Sequence, residues 1–456
     1  MSTATISPPP APAAPPLQKE TTAGSYFITN YPPFNFWKPE FVPALLDALK
    51  RPPTQPQTPD PRPQTPLGLY THIPFCRKRC HFCYFKVYTD KDSAEIKGYI
   101  EAVLKEFALY AGQPFVGGRK PKFIYFGGGT PSYLSPDQLK QLTDGMKRLL
   151  PWDDTEEITF EAEPGTLTDH KLRAIRELGV TRLSLGIEHF DDHILEINGR
   201  AHRSKEIARA YAYAREIGFP QINIDLIAGM VEETEDKWKE AVAKALALQP
   251  DSLTVYQMEV PYNTGIYQQM KAQGKLVAPV ADWATKRRWV DYAFREFERA
   301  GYAVNSTSTV VRDSAKVKFL YREGLFSGAD LLSVGVASFG HINGVHYQNQ
   351  ADFDPYLAKV NAGELPIFRA YPTQPDERYI REFMLMLKLG ANSRSQFKAK
   401  FGTDPLEHFA APLKQLQDWG CLTVDGDRLT LTREALLEVD GLLPVFFKPE
   451  HRTVKH

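Results

Sequence analysis

Three of the four cysteines in this chain lie within eight consecutive positions, in the segment CRKRCHFCYF. Their spacing is Cys76-x3-Cys80-x2-Cys83, and the apolar run LGLYTHI precedes them. Three thiolates can hold a [4Fe–4S] cluster and leave one of its irons without a protein ligand. A small molecule with an amine and a carboxylate can chelate that open iron. The spacing therefore predicts an iron–sulfur cluster with room for a second ligand.

A zinc site and incidental burial are the two alternatives to an iron–sulfur cluster. A structural zinc site takes four ligands, and His72 and His81 lie close enough in sequence to complete one. The remaining thiol, Cys421, lies far away in sequence. Incidental burial accounts poorly for three neighbouring thiols in a chain with so few cysteines. Clustered cysteines in a cytosolic chain indicate metal or redox chemistry, and we expect the iron–sulfur cluster.

The composition excludes several classes of partner. Lys and Arg together number 55, as do Asp and Glu, so the formal net charge is zero. Without a basic excess, neither nucleic acid nor an anionic membrane surface is expected as the main partner. No apolar run reaches the roughly 18 residues that would span a bilayer. The N-terminus lacks the features of a secretory signal, so we expect a cytoplasmic protein.

Residues 1–66 are expected to form an N-terminal arm and linker. Residues 1–20 are rich in Pro and Ala, a composition typical of disorder. Residues 24–50 carry many aromatic side chains, so we expect this segment to dock on the main body, with a short helix over Val42–Leu49. The Pro-rich residues 51–66 predict an extended linker.

Strand-like and helix-like segments alternate from Leu67 onward. In TEDKWKEAVAKALALQP, apolar residues recur at helical spacing, Thr234 can cap the helix and Pro250 can end it. Six apolar runs have the character of buried strands: 67–73, 122–128, 157–163, 182–188, 222–229 and 253–259. This alternation predicts an α/β fold over residues 67–370, with a parallel sheet that is doubly wound or curved toward a barrel.

Residues 371–456 are expected to form a second, smaller domain. Helical segments are followed by a hairpin around Asp425–Gly426, which is the pattern of a winged helix. Over residues 376–435 there are nine Lys or Arg and nine Asp or Glu. A neutral winged helix is a poor ligand for DNA. We therefore expect a winged-helix-like domain with a structural or substrate-covering role.

The cysteine spacing and its surroundings resemble a known superfamily. C-x3-C-x2-C is the signature of radical S-adenosylmethionine (SAM) enzymes, and YTHIPFCRKRCHFC is similar to the start of the oxygen-independent coproporphyrinogen III oxidase family, which includes the heme chaperones. The resemblance covers about residues 24–445. It implies a partial (β/α)6-type barrel with extra strands, and a [4Fe–4S] cluster whose open iron binds methionyl SAM. It also implies an electron donor, either a reductase or a flavodoxin or ferredoxin.

The resemblance also implies roles for individual residues. The cluster ligands would be Cys76, Cys80 and Cys83. Tyr70 would contact the sulfonium region of SAM and act in catalysis, and the segment SVGVASFGHINGVHYQN resembles a later motif of the family. Adjacent glycines let a ligand approach the backbone closely, and the GGGTP segment would bind the methionyl amine. The implied cofactor-binding residues are Tyr70, Phe82, Phe85, Gly127, Gly128, Gly129, Thr130, Glu161, Glu188, Arg200 and Asp225.

Three positions depart from the family pattern. Phe85 stands where the oxidase has a further cysteine, Glu188 where the family has Gln, and Val231 where Pro is usual. An ionised carboxylate can only accept hydrogen bonds, so Glu188 suits ribose hydroxyls but adds negative charge. These changes leave the radical chemistry intact and leave the substrate open.

The resemblance implies an enzyme of porphyrin and heme biosynthesis. We expect oxidative decarboxylation of a tetrapyrrole, in the manner of coproporphyrinogen III oxidase, driven by a 5′-deoxyadenosyl radical. One alternative is a heme chaperone. Another is a methyltransferase or cyclopropane-forming enzyme on the same scaffold, which would bind two SAM molecules rather than one.

Overall fold

The structure is a computed structural model that describes residues 28–53, 65–261, 263–274 and 279–452. Residues 1–20 and most of the predicted linker lie outside these ranges. The strands are β1 (Leu67–Ile73), β2 (Pro121–Gly128), β3 (Glu157–Ala162), β4 (Arg182–Glu188), β5 (Gln221–Ala228), β6 (Ser252–Gln257), β7 (Ala303–Ser306), β8 (Thr309–Val311), β9 (Asp330–Val334), β10 (Phe339–Ile342), β11 (Val345–Asn349), β12 (Ile367–Pro372), β13 (Ala391–Ser393), β14 (Leu422–Asp425) and β15 (Arg428–Leu431).

Helices separate the parallel strands and build most of the C-terminal region. Within the residues described, none of them is long and apolar enough to cross a membrane. The helices are α1 (Val42–Lys50), α2 (Ser93–Ala111), α3 (Pro136–Leu149), α4 (Asp169–Glu177), α5 (Asp192–Ile197), α6 (Ser204–Glu216), α7 (Glu235–Leu248), α8 (Gly265–Ala272), α9 (Trp283–Arg299), α10 (Leu320–Phe326), α11 (Phe353–Asn361), α12 (Pro375–Leu387), α13 (Arg394–Phe401), α14 (Pro405–His408), α15 (Ala410–Asp418), α16 (Arg433–Leu437), α17 (Val439–Leu442) and α18 (Pro449–Arg452).

The six predicted strands are confirmed as β1 to β6, neighbours in one sheet in chain order and all parallel. Their side chains are nearly all buried on both faces, as a sheet flanked by helices requires. The sheet continues beyond the predicted strands on both sides. At one edge β9 pairs parallel with β1 and is followed by β10, β11 and β12. At the other edge β8 and β7 extend the sheet antiparallel to β6.

The helix predicted before Pro250 is confirmed as α7. The Thr234 side chain accepts a hydrogen bond from the backbone N–H of Lys237, and the helix ends at Leu248. Trp238 is fully buried, and its ring stacks on Trp289 of α9. The apolar stripe seen in the sequence is therefore the face that α7 buries.

The N-terminal segment 28–53 packs on the far edge of the sheet. Its helix α1 covers the predicted helix and contacts β11 and β12, while Lys38 pairs with Ala370 of β12. Trp37 is 3% exposed, stacks on the His346 ring at a centroid distance of 4.9 Å, and donates from Nε1 to the carbonyl oxygen of Pro32 at 2.9 Å. Burial of aromatic area supplies most of the energy of such a contact.

Replacing Trp37 with Ala is expected to lower the free energy of unfolding by about 3–5 kcal/mol, because a large buried side chain is lost and a cavity is left. Urea unfolding followed by circular dichroism measures this change. Lys38→Ala is the matched control, since the neighbouring side chain is 54% exposed and its loss is expected to change stability little. Equal midpoints for the two variants would show that the segment adds no stability.

The C-terminal region is a small three-stranded sheet with helices around it. The strand order is β13–β15–β14, all antiparallel, and the predicted hairpin at Asp425–Gly426 is confirmed as β14–β15. Its apolar cluster includes Phe383, Leu413 and Leu429 and extends to Phe123 of β2 and Leu331 of β9. Hydrogen bonds also link it to the main sheet: Thr307 Oγ1 donates to the carbonyl oxygen of Leu436, and Gln257 Nε2 donates to that of Leu437.

The motif SVGVASFGHINGVHYQN joins the extra strands to α2. Asn349 Nδ2 donates to Glu106 Oε1 at 2.6 Å, and the backbone N–H of Gly335 donates to Glu106 Oε2 at 2.9 Å. Burial raises the pKa of Glu106 to about 7. The motif therefore holds the sheet together. None of its described residues lines the cavity described below. The residues that resemble the later family motif are Gly335, Ser338, Gly340, Tyr347 and Asn349.

Candidate active site

A cavity of about 540 Å³ opens where β1 to β6 end. The loop that carries the three cysteines follows β1, the glycine run follows β2, and the ends of β3, β5 and β6 complete the wall. Active sites of α/β barrels lie at this end of the strands. On its far side the cavity reaches α10 and the C-terminal region, where Leu437 and Gly441 line it.

Backbone hydrogen bonds fix the cysteine loop at both ends. The N–H of Cys76 donates to the carbonyl oxygen of Tyr88 at 3.0 Å, and the N–H of Tyr88 donates to that of Pro74 at 2.7 Å. In the middle of the loop, the N–H of His81 donates to the carbonyl oxygen of Asn198 at 3.0 Å. The backbone that carries the thiols is therefore fixed by the fold, which is what a cluster site requires.

The three thiols are free and face the same cavity. Cys76 Sγ lies 3.3 Å from Thr130 Oγ1, and Arg200 Nη1 donates to Cys80 Sγ at 3.3 Å. Burial raises the pKa of Cys76 to about 12 and that of Cys83 to about 11, and the other thiolates add to the rise. Cys76 is buried and the other two cysteines are half-buried, so their thiolates need positive charge beside them, which iron ions would supply.

Each of the two histidines near the cysteines has one ring nitrogen beside another partner, whereas His72 Nε2 has none among the described residues. His81 Nδ1 lies 3.0 Å from the carbonyl oxygen of Ile197. His72 is 4% exposed, its Nδ1 lies 3.1 Å from the hydroxyl of Tyr70, and burial lowers its pKa to about 4. Across the described ranges, no group of three or more His, Cys, Asp or Glu side chains could hold a single metal ion. The geometry thus gives no support to the zinc alternative.

The glycine run lies tightly between β1 and β3. A Cβ on Gly127 would lie 2.6 Å from the Tyr125 ring, and one on Gly129 would lie 2.9 Å from the backbone of Pro74. Gly128 has a φ of +115° and donates its N–H to Glu161 Oε2 at 3.1 Å. Only glycine fits here, so the backbone itself forms this wall of the cavity.

Arg200 is the buried cation of the site. It is 9% exposed, and its Nη2 donates to the carbonyl oxygen of Gly186 at 2.5 Å. Its Nη1 lies 3.6 Å from Glu188 Oε1. Its Nε has no hydrogen-bond partner among the described residues. A buried N–H without a partner needs an acceptor, and the carboxylate of SAM is one that would fit.

Three carboxyl groups of β3, β4 and β5 lie near one another, and one of them, Glu188, lies beside Arg200. Burial is the main cause that raises the pKa of Glu161 and of Glu188 to about 7, and the charge of Asp225 raises both further. Burial also raises the pKa of Asp225 itself. Glu161 accepts from the hydroxyl of Tyr125 at 2.5 Å. Glu161 and Asp225 line the cavity, and when ionised they form a negative surface that suits a ligand with positive charge and hydroxyl groups.

The structure brings most of the predicted site residues to the cavity wall. Tyr70 lies inside the barrel beside Tyr125, with ring centroids 5.9 Å apart. Gly127 and Glu188 lie behind the wall, Glu188 beside Arg200. Phe82 also packs on an apolar cluster that includes Met258. The predicted residues that line the cavity are Cys76, Cys80, Phe82, Cys83, Phe85, Gly128, Gly129, Thr130, Glu161, Arg200 and Asp225.

Several cavity residues could not be singled out from the sequence. Tyr256 lies near the end of β6 and is 52% exposed, facing the cavity. The signal that could have found it is its place in LTVYQME, since residues at strand ends of such sheets face the ligand. Trp283 and Arg322 come from α9 and α10. No local motif surrounds these two residues, and only folding of the chain places them at the cavity.

Comparisons with known proteins identify the family. A profile described as the Radical SAM superfamily matches residues 70–245, and one described as the HemN C-terminal domain matches residues 374–437. The heme chaperone HemW of Bacillus subtilis is 30% identical over 373 residues, which cover 81% of this chain and 96% of the relative. The chain belongs to the coproporphyrinogen III oxidase-like family of radical SAM proteins.

Other members of the family are oxidases by name. The oxygen-independent coproporphyrinogen III oxidase of Escherichia coli K12 is 25% identical over 447 residues and covers 94% of each chain. That of Synechocystis is 26% identical over 403 residues, 84% of this chain and 85% of the relative. The solved structure of coproporphyrinogen III oxidase (HemN) from Escherichia coli superposes with a TM-score of 0.78 over 92% of this chain and 96% of that chain. The predicted fold class is therefore confirmed.

Membership of the radical SAM family establishes the cofactors, a [4Fe–4S] cluster and SAM. The residues fit both groups. The fixed loop presents three thiols for a cluster, and the side-chain-free wall of Gly128 and Gly129 leaves backbone accessible to a ligand. The unpartnered Nε of Arg200 is positioned for an anionic group of the ligand.

SAM is expected to bind more weakly as the pH falls from about 8 to 6. Burial raises the pKa of Glu161 and of Glu188 to about 7, and their ionised forms would attract the sulfonium and ammonium groups of SAM, Glu161 from the cavity wall and Glu188 from behind it. Binding therefore lowers both pKa values and releases protons, so affinity is highest above pH 7 and is lost below it, by up to about tenfold per pH unit for each group. Calorimetric titration of the cluster-loaded protein in two buffers of different ionisation enthalpy measures this.

Glu188→Gln is the informative variant for that titration. It removes one ionisable group while keeping side-chain volume, so the pH dependence should become shallower and fewer protons should be released. An affinity that stays constant or rises as the pH falls would show that these carboxyl groups do not face SAM.

Proposed function

We propose that the protein is a radical SAM enzyme that decarboxylates propionate side chains of a tetrapyrrole, with coproporphyrinogen III as the favoured substrate. One observation carries this proposal. A single cavity joins the cysteine loop to a wide compartment with aromatic and cationic side chains, bounded by the C-terminal region. Curated relatives that match most of this chain are oxidases of coproporphyrinogen III by name.

The aromatic side chains of the compartment suit a flat or bowl-shaped macrocycle. Phe85 and Tyr256 are 46% and 52% exposed and both face the cavity. Tyr84 lies against Phe85, with ring centroids 4.6 Å apart. Exposed aromatic faces inside a cavity favour stacking and apolar contact with a ligand. Phe85 stands where the oxidase has a further cysteine, so here this position offers an aromatic surface.

The chain's own residues would bind and orient the reactants. When bound, the reduced cluster and SAM supply a 5′-deoxyadenosyl radical that removes one hydrogen atom from the substrate. Arg200 would hold the carboxylate of SAM, and Glu161 and Asp225 would hold its amine and ribose. Leu437 and Gly441 of the C-terminal region lie across the cavity and would keep water away from the reaction.

The proposed reaction balances without a further oxidant. A propionate side chain loses one hydrogen atom, carbon dioxide and one electron and becomes a vinyl group. The hydrogen atom leaves with 5′-deoxyadenosine, and methionine is the other product of SAM. The side chain releases one electron, and a reductase, flavodoxin or ferredoxin supplies one electron at the start, so the electrons balance. We place this chemistry in the cytoplasm, where such donors reside.

Anaerobic incubation of the reduced, cluster-loaded protein with SAM and a set of tetrapyrroles tests the proposal. Coproporphyrinogen III should give a product lighter by carbon dioxide and two hydrogens for each side chain, with one 5′-deoxyadenosine per step. Release of 5′-deoxyadenosine without that product would exclude this substrate and keep the enzyme class. A product heavier by a methyl group would instead identify a methyltransferase.

A heme chaperone is the second candidate, because the 30% identical relative from Bacillus subtilis has that name and is covered over 96% of its length. A chaperone would bind heme stoichiometrically and leave coproporphyrinogen unchanged. Heme titration followed by absorbance, run beside the turnover assay, separates the two candidates.

A further inference from the structure

Three cations line the side of the cavity that faces the C-terminal region, and two of them are neutralised. Arg287 lies 3.4 Å from Glu438, and Lys388 lies 2.7 Å from Asp440. The third, Arg322, has no Asp or Glu oxygen within 4.0 Å among the residues that the structure describes. It therefore faces the cavity without a direct ion pair, although Glu323 and Glu157 lie near enough for their charges to act on it.

Neutral groups hold the Arg322 guanidinium in place. Its Nη1 donates to Ser306 Oγ at 2.9 Å and to Thr309 Oγ1 at 3.2 Å, and its Nη2 donates to Asn305 Oδ1. Its Nε has no partner among the described residues. Side chains of β7 and β8 thus fix the orientation of the planar guanidinium. They do not neutralise its charge, and one of its N–H donors remains available to a ligand.

The helix that carries Arg322 is itself anchored. The backbone N–H groups of Leu320 and Tyr321 donate to Glu157 at 2.7 and 3.2 Å. Glu157 begins β3, whereas Glu161 lies near its end beside the glycine run. The helix therefore starts near the beginning of β3, whereas the Arg322 guanidinium bonds to Thr309, which pairs with Thr254 of β6.

The buried surroundings of Arg322 destabilise its positive charge. Burial lowers the pKa of Arg322 to about 10; the charge of Glu323 opposes this shift, and that of Arg182 adds to it. Both guanidinium groups lie near the Phe319 ring, at 3.9 Å for Arg182 and 5.6 Å for Arg322. A desolvated charge is strongly stabilised by an anion that reaches it.

We propose that Arg322 binds a carboxylate of the substrate, one that does not react, and so positions the reacting side chain near the cysteine loop. The inference rests on the proposed function, since it requires a substrate with more than one carboxylate. The cavity has the matching polarity. Glu161 and Asp225 line it together with the cysteine loop, and Arg322 lines it together with residues of the C-terminal region.

Binding of coproporphyrin III, the stable oxidised analogue, tests the inference without turnover. Fluorescence titration should show that Arg322→Gln weakens binding about 10- to 100-fold, the loss expected for a hydrogen bond to a charged group. Arg322→Lys should bind with intermediate affinity, because the charge remains and the planar fork is lost. The tetramethyl ester of coproporphyrin III should bind the wild type and Arg322→Gln equally.

Lys316→Ala is the matched control for loss of one positive charge. Its side chain is 85% exposed on the loop before α10, and binding should stay unchanged. Melting curves of all variants verify folding, and the lysine variant keeps the charge if the glutamine variant proves unstable. Equal binding of coproporphyrin III by the wild type and by both Arg322 variants would overturn the role of Arg322 but not the proposed function. Failure of the wild type to bind any coproporphyrin would overturn the proposed function as well.

Discussion

Replacing any one of Cys76, Cys80 or Cys83 with Ala is expected to abolish SAM cleavage. Each substitution removes one of the three thiols that the loop presents to the cavity, and a [4Fe–4S] cluster held by two thiolates is not retained. The loss should exceed the ~100-fold that removal of an outer-shell partner produces at a metal site. Formation of 5′-deoxyadenosine, together with the visible absorbance of the cluster, measures it.

Cys421→Ala is the matched control for the cysteine series. This thiol is buried in the apolar cluster of the C-terminal region and does not line the cavity. Its loss should leave the iron content and SAM cleavage at the wild-type level. Full activity in any one of the three loop variants would refute the assignment of the cluster ligands.

Replacing Arg200 with Ala is expected to weaken SAM binding roughly 30-fold or more. The side chain is buried and contacts Cys80, Glu188 and the carbonyl oxygen of Gly186. Removing one member of a buried charge pair costs about 2–5 kcal/mol, because the remaining charge keeps its desolvation penalty. Equilibrium binding of SAM to the cluster-loaded variant measures the change.

Arg203→Ala supplies the comparison for Arg200. Arg203 lies three positions further along, is 31% exposed, pairs with Glu196 at 3.3 Å and donates from Nη1 to the carbonyl oxygen of Arg200, but it does not line the cavity. Its loss should change SAM affinity much less than the loss of Arg200, because partly exposed ion pairs contribute little. Similar affinities in the two variants would mean that Arg200 acts only in the packing of the loop.

The parallel strands could be predicted closely from the sequence because each is an apolar run that ends in turn residues. LGLYTHI and RLSLGIE coincide with β1 and β4 from the first residue to the last. The strands that extend the sheet at its edges were missed, since β7 to β12 are short and several pair antiparallel. Packing of the N-terminal segment against β12 depends on contacts more than 300 residues apart, such as Lys38 with Ala370.

Some residues of the site can be predicted from a local motif, and others only from the folded structure. The cysteines from Cys76 to Cys83 and the glycine run can be predicted, because their spacing in the sequence is characteristic. Arg322 sits in LYREGLF, which has no signature, and its lack of a carboxylate partner is visible only in three dimensions. Tyr70 shows the opposite case, because the family motif predicts a cofactor contact whereas its hydroxyl meets His72 inside the barrel. That contact with SAM stays a prediction.

Electron paramagnetic resonance of the reduced, cluster-loaded protein, recorded with and without SAM, tests most directly whether Cys76, Cys80 and Cys83 hold a cluster with an open iron. We predict the signal of a reduced [4Fe–4S] cluster in the wild type and a clear change of that signal when SAM is added, because SAM would bind the iron that lacks a protein ligand. A protein that holds no such cluster, or a signal that SAM leaves unchanged at saturating concentration, would contradict the account.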